Sequence, residues 1–168
     1  MTSDMPPRVA VEAVGELDVT IAVNGATTHA RVPVDELLID HVRVRLGLTG
    51  TKLSCASEVC GACTVLVDGM PVSSCTYLTF EADGRKVTTV EGLAYGDELS
   101  PLQGAFVRNV GAQCGYCTPG QLVAATALLA EVPSPTAEQV ARWMSGNICR
   151  CGCYPAIARS IREAASER

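Results

Sequence analysis

Gln113-Cys114-Gly115-Tyr116-Cys117-Thr118-Pro119-Gly120 and Asn147-Ile148-Cys149-Arg150-Cys151 decide how this chain is read. They place a C-x2-C pair and a C-x-C pair with 31 residues between Cys117 and Cys149, and no other cysteine lies in that interval. Proline suits the first turn of a helix, where its missing N–H costs nothing, and Thr118 is expected to cap that helix. Cys114 and Cys117 would then sit just before one helix N-terminus. Cys149 and Cys151 would precede a second helix starting near Pro155. Two N-termini aimed at one point supply positive potential and free N–H donors, which suit an anionic centre. A four-thiolate [2Fe–2S] cluster, at about −2 when both irons are ferric, is such a centre.

A second cysteine set lies upstream. Cys55, Cys60 and Cys63 are spaced C-x4-C-x2-C, and Cys75 follows after 11 intervening residues. This is the plant-type [2Fe–2S] spacing. Three thiolates on a tight loop can wrap a flat cluster, with Gly61 allowing close backbone approach. A zinc site would more commonly pair two C-x2-C knuckles, which this spacing fits poorly. A Rieske centre needs two histidines near the metal. His29 and His41 stand apart from every cysteine pair and are read as ordinary surface or core residues.

The composition agrees. The chain has 168 residues, a formal charge of −5 and 48% hydrophobic residues, with only 4% aromatic. One or two small domains follow, and no basic run points to nucleic acid. No stretch reaches the roughly 18 apolar residues of a membrane span. No signal-peptide pattern opens the chain, so a cytoplasmic location is expected, where nine cysteines serve metal ligation better than disulfides.

Periodicity divides the chain. Residues 1–16 read as a mobile tail and 17–90 as an α+β unit. Leu17, Val19, Ile21 and Val23 alternate with polar or small residues as in a strand, Asn24-Gly25 signals a type I′ hairpin, and residues 26–32 return. Asp35 is expected to cap a helix over 36–46, ended by Gly47. Thr64 to Val67, turning at Asp68-Gly69, pairs with 70–72. A further strand covers 86–90. A linker over 91–99 leads to the second domain, 100–168. There Ser100 and Gln103, then Thr136 and Gln139, form capping boxes. They open helices running to about Val110 and Ser145. Between them residues 119–131 make a helix that is apolar all round, which belongs at the centre of a bundle. A last helix covers 155–165.

Together, Gly50-Thr51-Lys52, Cys60-Gly61-Ala62-Cys63-Thr64-Val65 and the two later motifs, the second extended to Gly146 and Gly152, resemble the small iron–sulfur subunit of the molybdenum hydroxylases. This is the xanthine dehydrogenase, aldehyde oxidase and carbon monoxide dehydrogenase family. The resemblance spans about residues 17–163. It implies a plant-ferredoxin-like β-grasp domain followed by a four-helix bundle, with one [2Fe–2S] cluster in each. It implies Cys55, Cys60, Cys63 and Cys75 as ligands of the first cluster, and Cys114, Cys117, Cys149 and Cys151 as ligands of the second. It implies partners: a large molybdopterin subunit, the pterin in a dinucleotide form, and a medium FAD subunit, assembled as a dimer of heterotrimers. Gln113 and Cys151 would lie against the pterin. Single electrons would pass from molybdopterin through both clusters to FAD or another acceptor, with no substrate chemistry on this chain. Ser54 and Glu58 stand where relatives often have glycine. Cys153 is surplus to the eight ligands and is read as a small buried residue. A free-standing two-cluster ferredoxin and a zinc-stapled binding module are the competing readings. The sequence names neither the substrate nor the final acceptor.

Overall fold

The computed structural model describes residues 15–167. Residues 1–14 of the expected tail lie outside this range, and Glu16 belongs to the first strand, paired with Pro33.

The N-terminal half is a five-stranded mixed sheet in the order β2-β1-β5-β3-β4. Its strands are β1 Glu16–Val23, β2 Ala26–Pro33, β3 Thr64–Val67, β4 Met70–Ser73 and β5 Lys86–Thr88. Two hairpins set its frame. Asn24 and Gly25 have φ of 50° and 85°, and Asp68 and Gly69 repeat those values. Two successive positive φ angles are what a type I′ turn requires, so both hairpins form as the sequence predicts. β5 closes the sheet by pairing parallel to β1 and antiparallel to β3. It is shorter than the expected 86–90, because Val90–Leu93 coils into a 3-10 turn.

Across this sheet lies α1, Leu38–Asp40, which runs on into a π-wound turn over His41–Arg45. The helix starts later than expected. Asp35 does not cap it; Leu37 holds the N-cap position without a side-chain bond. Leu38 and Val42 pack with Val19, Ile21, Val32, Val65 and Val87 in the sheet's core. His41 is fully buried and its Nδ1 lies 3.0 Å from Glu36 Oε1, while His29 is exposed beside Thr20. Neither approaches a metal-ligand role.

The C-terminal half holds α2 Pro101–Arg108, α3 Thr118–Glu131, α4 Ala137–Trp143 and α5 Tyr154–Ser166. Ser100 and Thr136 cap α2 and α4, and each capping box closes with its glutamine. Thr118 does not cap α3. It is the first helical residue, Cys117 is the N-cap, and Thr118 Oγ1 is buried without a partner. α2 stops at Arg108, and Val110 rather than Gly111 takes the positive φ, at 54°.

α3 explains its own composition. Leu122, Ala125, Leu128 and Leu129 face Phe106, Val140, Ile157 and Ile161 of the other helices. Val123 and Ala127 instead pack on Leu66 of β3. The helix is apolar all round because it serves two cores, not only the centre of a helical group. The segment expected as a linker is tied down: Glu91 Oε1 accepts the backbone N–H of Gly50 at 2.7 Å, and Leu93 packs against both cores. The result is a mixed sheet plus helices, an α+β chain. No helix among the described residues is long and apolar enough to cross a membrane.

Candidate metal centres

The eight expected ligands gather in two places. Cys63 and Cys75 pack in one core cluster, and the thiol of Cys60 acts on the ionisation of Cys55. In the helical half Cys149 and Cys153 share a core cluster against which Cys117 and Cys151 pack, and Cys151 bears on the ionisation of Cys114. Among the described residues no group of three or more His, Cys, Asp and Glu closes on a single point that could hold one metal ion. Thiols that gather without closing on one point fit a two-iron cluster, in which each iron takes two thiolates, better than a four-thiolate zinc site.

Each set grades from exposed to buried. Cys55 and Cys114 are exposed, Cys60, Cys117 and Cys151 half-buried, and Cys63, Cys75 and Cys149 buried. The backbone N–H of Ser57 leads the bonds that hold Cys55 down at about 6, and the N–H of Tyr116 lowers Cys114. Burial pushes Cys63 up to about 11 and Cys117 to about 12. Burial also opposes ionisation of Cys149, yet the backbone N–H of Cys153 and neighbouring thiols outweigh it and lower that group. Cys55 is therefore ready as a thiolate near neutral pH, whereas Cys63 and Cys117 give up their protons only as metal binds.

Backbone geometry accounts for the loop. Ala56 and Glu58 adopt φ of 53° and 63°, uncommon for residues with a Cβ, so the first loop carries local strain. Glu58 Oε2 accepts a bond from Thr76 Oγ1 at 3.3 Å, next to Cys75. Ser54 is exposed.

The two centres are joined directly. The N–H of Ile148 donates to the carbonyl of Cys60 at 2.9 Å, linking the residue before Cys149 to a residue of the first set. Asn147 Nδ2 donates to the carbonyl of Gly61 at 3.0 Å and to Thr64 Oγ1 at 3.3 Å. Gln121 Nε2 donates to the carbonyl of Asn147 at 2.8 Å. Tyr116 reaches across to the carbonyl of Leu53, and Tyr154 Oη accepts the N–H of Cys149 at 2.9 Å. None of these five side chains was singled out by the cysteine spacing, although Thr64, Tyr116 and Asn147 lie inside the motifs. Gly61 and Gly120 make room for the junction. A Cβ on Gly120 would stand 2.1 Å from the Gly61 carbonyl oxygen, and one on Gly61 would stand 2.5 Å from Asn147 Nδ2.

Gln113 is exposed and Cys151 half-buried. Cys153 is buried in the helical core and is the N-cap of α5, with its N–H 3.4 Å from Cys149 Sγ. It thus lies directly beside Cys149.

Comparison with known proteins agrees with this arrangement. Residues 21–94 match the family described as a 2Fe-2S iron-sulfur cluster binding domain, and residues 89–162 match a [2Fe-2S] binding domain. The chain is 47% identical to the nicotine 6-hydroxylase small subunit of Paenarthrobacter nicotinovorans, across 88% of this chain and 89% of that one. It is 41% identical to an aldehyde oxidoreductase iron-sulfur-binding subunit of Escherichia coli, across 90% and 72%. Among solved structures it is similar to quinoline 2-oxidoreductase from Pseudomonas putida 86, with a TM-score of 0.87, 41% identity, and 90% and 94% coverage. It also matches 17% of the longer chain of the aldehyde oxidoreductase from Desulfovibrio gigas, with a TM-score of 0.86 and 40% identity over 89% of this chain. Two cluster-binding matches and these relatives establish that the chain belongs to the iron–sulfur small subunits of the molybdenum hydroxylases.

Proposed function

We propose that this chain is a two-cluster electron relay whose eight ligands divide two per iron. Cys55 with Cys60, and Cys63 with Cys75, would hold the irons of the first [2Fe–2S] cluster. Cys114 with Cys151, and Cys117 with Cys149, would hold those of the second. The packing of Cys63 with Cys75 in one core cluster, and of Cys117, Cys149 and Cys151 around another, supports this reading. When bound, the clusters supply one-electron storage at modest reorganisation, and the chain's residues supply ligands, N–H donors and spacing.

The domains of this reading are 17–90, a β-grasp unit, and 100–168, a four-helix bundle, joined by 91–99. Electrons enter at the bundle cluster from molybdopterin on a large subunit, with Gln113 and Cys151 against the pterin. They leave through the first cluster toward FAD on a medium subunit or another acceptor. The Ile148 N–H bonded to the Cys60 carbonyl offers a covalent and hydrogen-bonded route between the centres. The exposed Cys55 and Cys114 stand one in each centre, where partner cofactors at either end could approach. The holoenzyme would be a cytoplasmic dimer of heterotrimers.

Two measurements on the purified holoenzyme test this. Iron analysis should give about four irons per chain and reduction should produce two separable paramagnetic signals; about two irons would refute the ligand set. Cys60→Ser should leave reduction of molybdenum by substrate intact in a single turnover while slowing delivery to the acceptor. Failure of that molybdenum reduction would reverse the order of centres.

A further inference from the structure

We propose that Asn147 is a positioning residue for the inter-cluster electron step, because its side chain clamps the first cluster loop onto the second. The inference rests on the two-cluster relay described above.

Asn147 is 7% exposed, and its Nδ2, backbone N–H and backbone carbonyl are all hydrogen-bonded across the junction or within it. Its Nδ2 donates to Gly61 O at 3.0 Å and to Thr64 Oγ1 at 3.3 Å, both within the Cys60–Val67 segment. Its carbonyl accepts from Gln121 in α3, and its own N–H donates to Met144 O at 3.0 Å. Gly61 O also accepts Thr64 N and Thr64 Oγ1, so one carbonyl gathers donors from both halves. Gly61 lies between Cys60 and Cys63, and Asn147 lies two residues before Cys149. The clamp thus grips each cluster loop next to a ligand. The Ile148-to-Cys60 bond is flanked by it.

Burial makes the clamp specific. With Asn147 Nδ2 removed, Gly61 O loses a buried donor and the two loops lose the Asn147 link beside their ligands, so the junction gains freedom to part. An electron leaving the bundle cluster oxidises it and reduces the first cluster, with no bond made or broken. Its rate then depends on the separation and coupling that this junction fixes. Alignment of this kind is lost through small displacements, as in other preorganised centres.

Asn147→Asp keeps the shape but replaces the donor with an acceptor against Gly61 O, and Asn147→Ala removes it. The test uses the reduced holoenzyme. Low-temperature paramagnetic resonance reads the magnetic splitting between the two reduced clusters, and flash reduction reads the inter-cluster rate. Both variants should lose most of the splitting and slow the step several-fold while iron content and each cluster's own signal persist. Val140→Ala, in the helical core away from the junction, should lower thermal stability and leave splitting and rate unchanged. Unchanged splitting and rate in iron-replete Asn147 variants overturn the proposal. If those variants lose iron, Thr64→Val decides: a reduced splitting supports the clamp and an unchanged one refutes it. A wild-type protein with only one paramagnetic signal would refute the two-cluster relay instead, a different outcome from either.

Discussion

Gly120→Ala should be strongly destabilising, although it puts a better helix former into α3. The added Cβ would stand 2.1 Å from Gly61 O, 3.2 Å from Gly61 C and 3.3 Å from Ala62 C. It must retreat by about 0.9 Å merely to reach the 3.0 Å floor of real Cβ contacts. Every colliding atom is backbone, so no side chain can swing away. Gly61 O is also the acceptor for Thr64 and Asn147, and moving it loosens those bonds. Overpacking of this kind costs about 1–3 kcal/mol, and strained hydrogen bonds add about 1 kcal/mol each. The helix-propensity gain of about 1 kcal/mol offsets part of this. The net loss is about 3 kcal/mol, which lowers Tm by roughly 6–12 °C for a chain of this size. Thermal unfolding of the iron-loaded protein measures it. Gly104→Ala in α2 is the comparison: its Cβ would meet only the flexible Arg108 Nη1 at 3.1 Å. That change should stabilise by about 0.5–1 kcal/mol. If Gly120→Ala proved neutral or stabilising like Gly104→Ala, the tight seating of α3 on the first cluster loop would be refuted.

Two further outcomes follow from other parts of the molecule. Cys153→Ala should keep the visible spectrum and both paramagnetic signals, at a stability cost on the order of 1 kcal/mol for a lost buried thiol, whereas Cys151→Ala should lose or badly distort the bundle cluster. A normal cluster in Cys151→Ala and a lost one in Cys153→Ala would move the ligand assignment by two residues. The Asn109 amide, then the Arg108 guanidinium, hold the Glu163 carboxyl below its ordinary 4.5, so this bond set stabilises the fold above that value and is lost as pH falls through the lowered one. Glu163→Gln should therefore flatten the acid limb of a Tm-against-pH curve, and an unchanged limb would show that the depressed carboxyl contributes nothing.

Local features were the legible ones. Asn24-Gly25 and Asp68-Gly69 announced their hairpins because a type I′ turn asks for residues that tolerate positive φ. Ser100 with Gln103, and Thr136 with Gln139, announced helix starts because the capping bonds lie within four residues. The C-x4-C-x2-C, C-x2-C and C-x-C spacings could be read because each is local, whereas which of them come together is not. Asp35 and Thr118 failed as caps because tertiary contacts chose where the chain bends: α1 waits for Leu38 to enter the sheet's core, and Cys117 takes the α3 N-cap in a helical conformation. The junction was illegible for a stronger reason. Gly61, Gly120 and Asn147 meet only after both halves are folded, so Gly120 looked like an ordinary residue after proline. Likewise α3's uniform apolarity could not reveal that Val123 and Ala127 are meant for Leu66 of the sheet.

The junction also has a meaning in time. Gly61 and the Asn147 that grips it are 86 positions apart. At a synthesis rate of about 5–20 residues per second, roughly 4–17 s separate their appearance from the ribosome. For that interval the nascent first loop presents Cys55 and Cys60 without its lock, to iron donors and oxidants alike. The cell must therefore either deliver the first cluster after the helices have docked, or shield four thiols on a half-made chain.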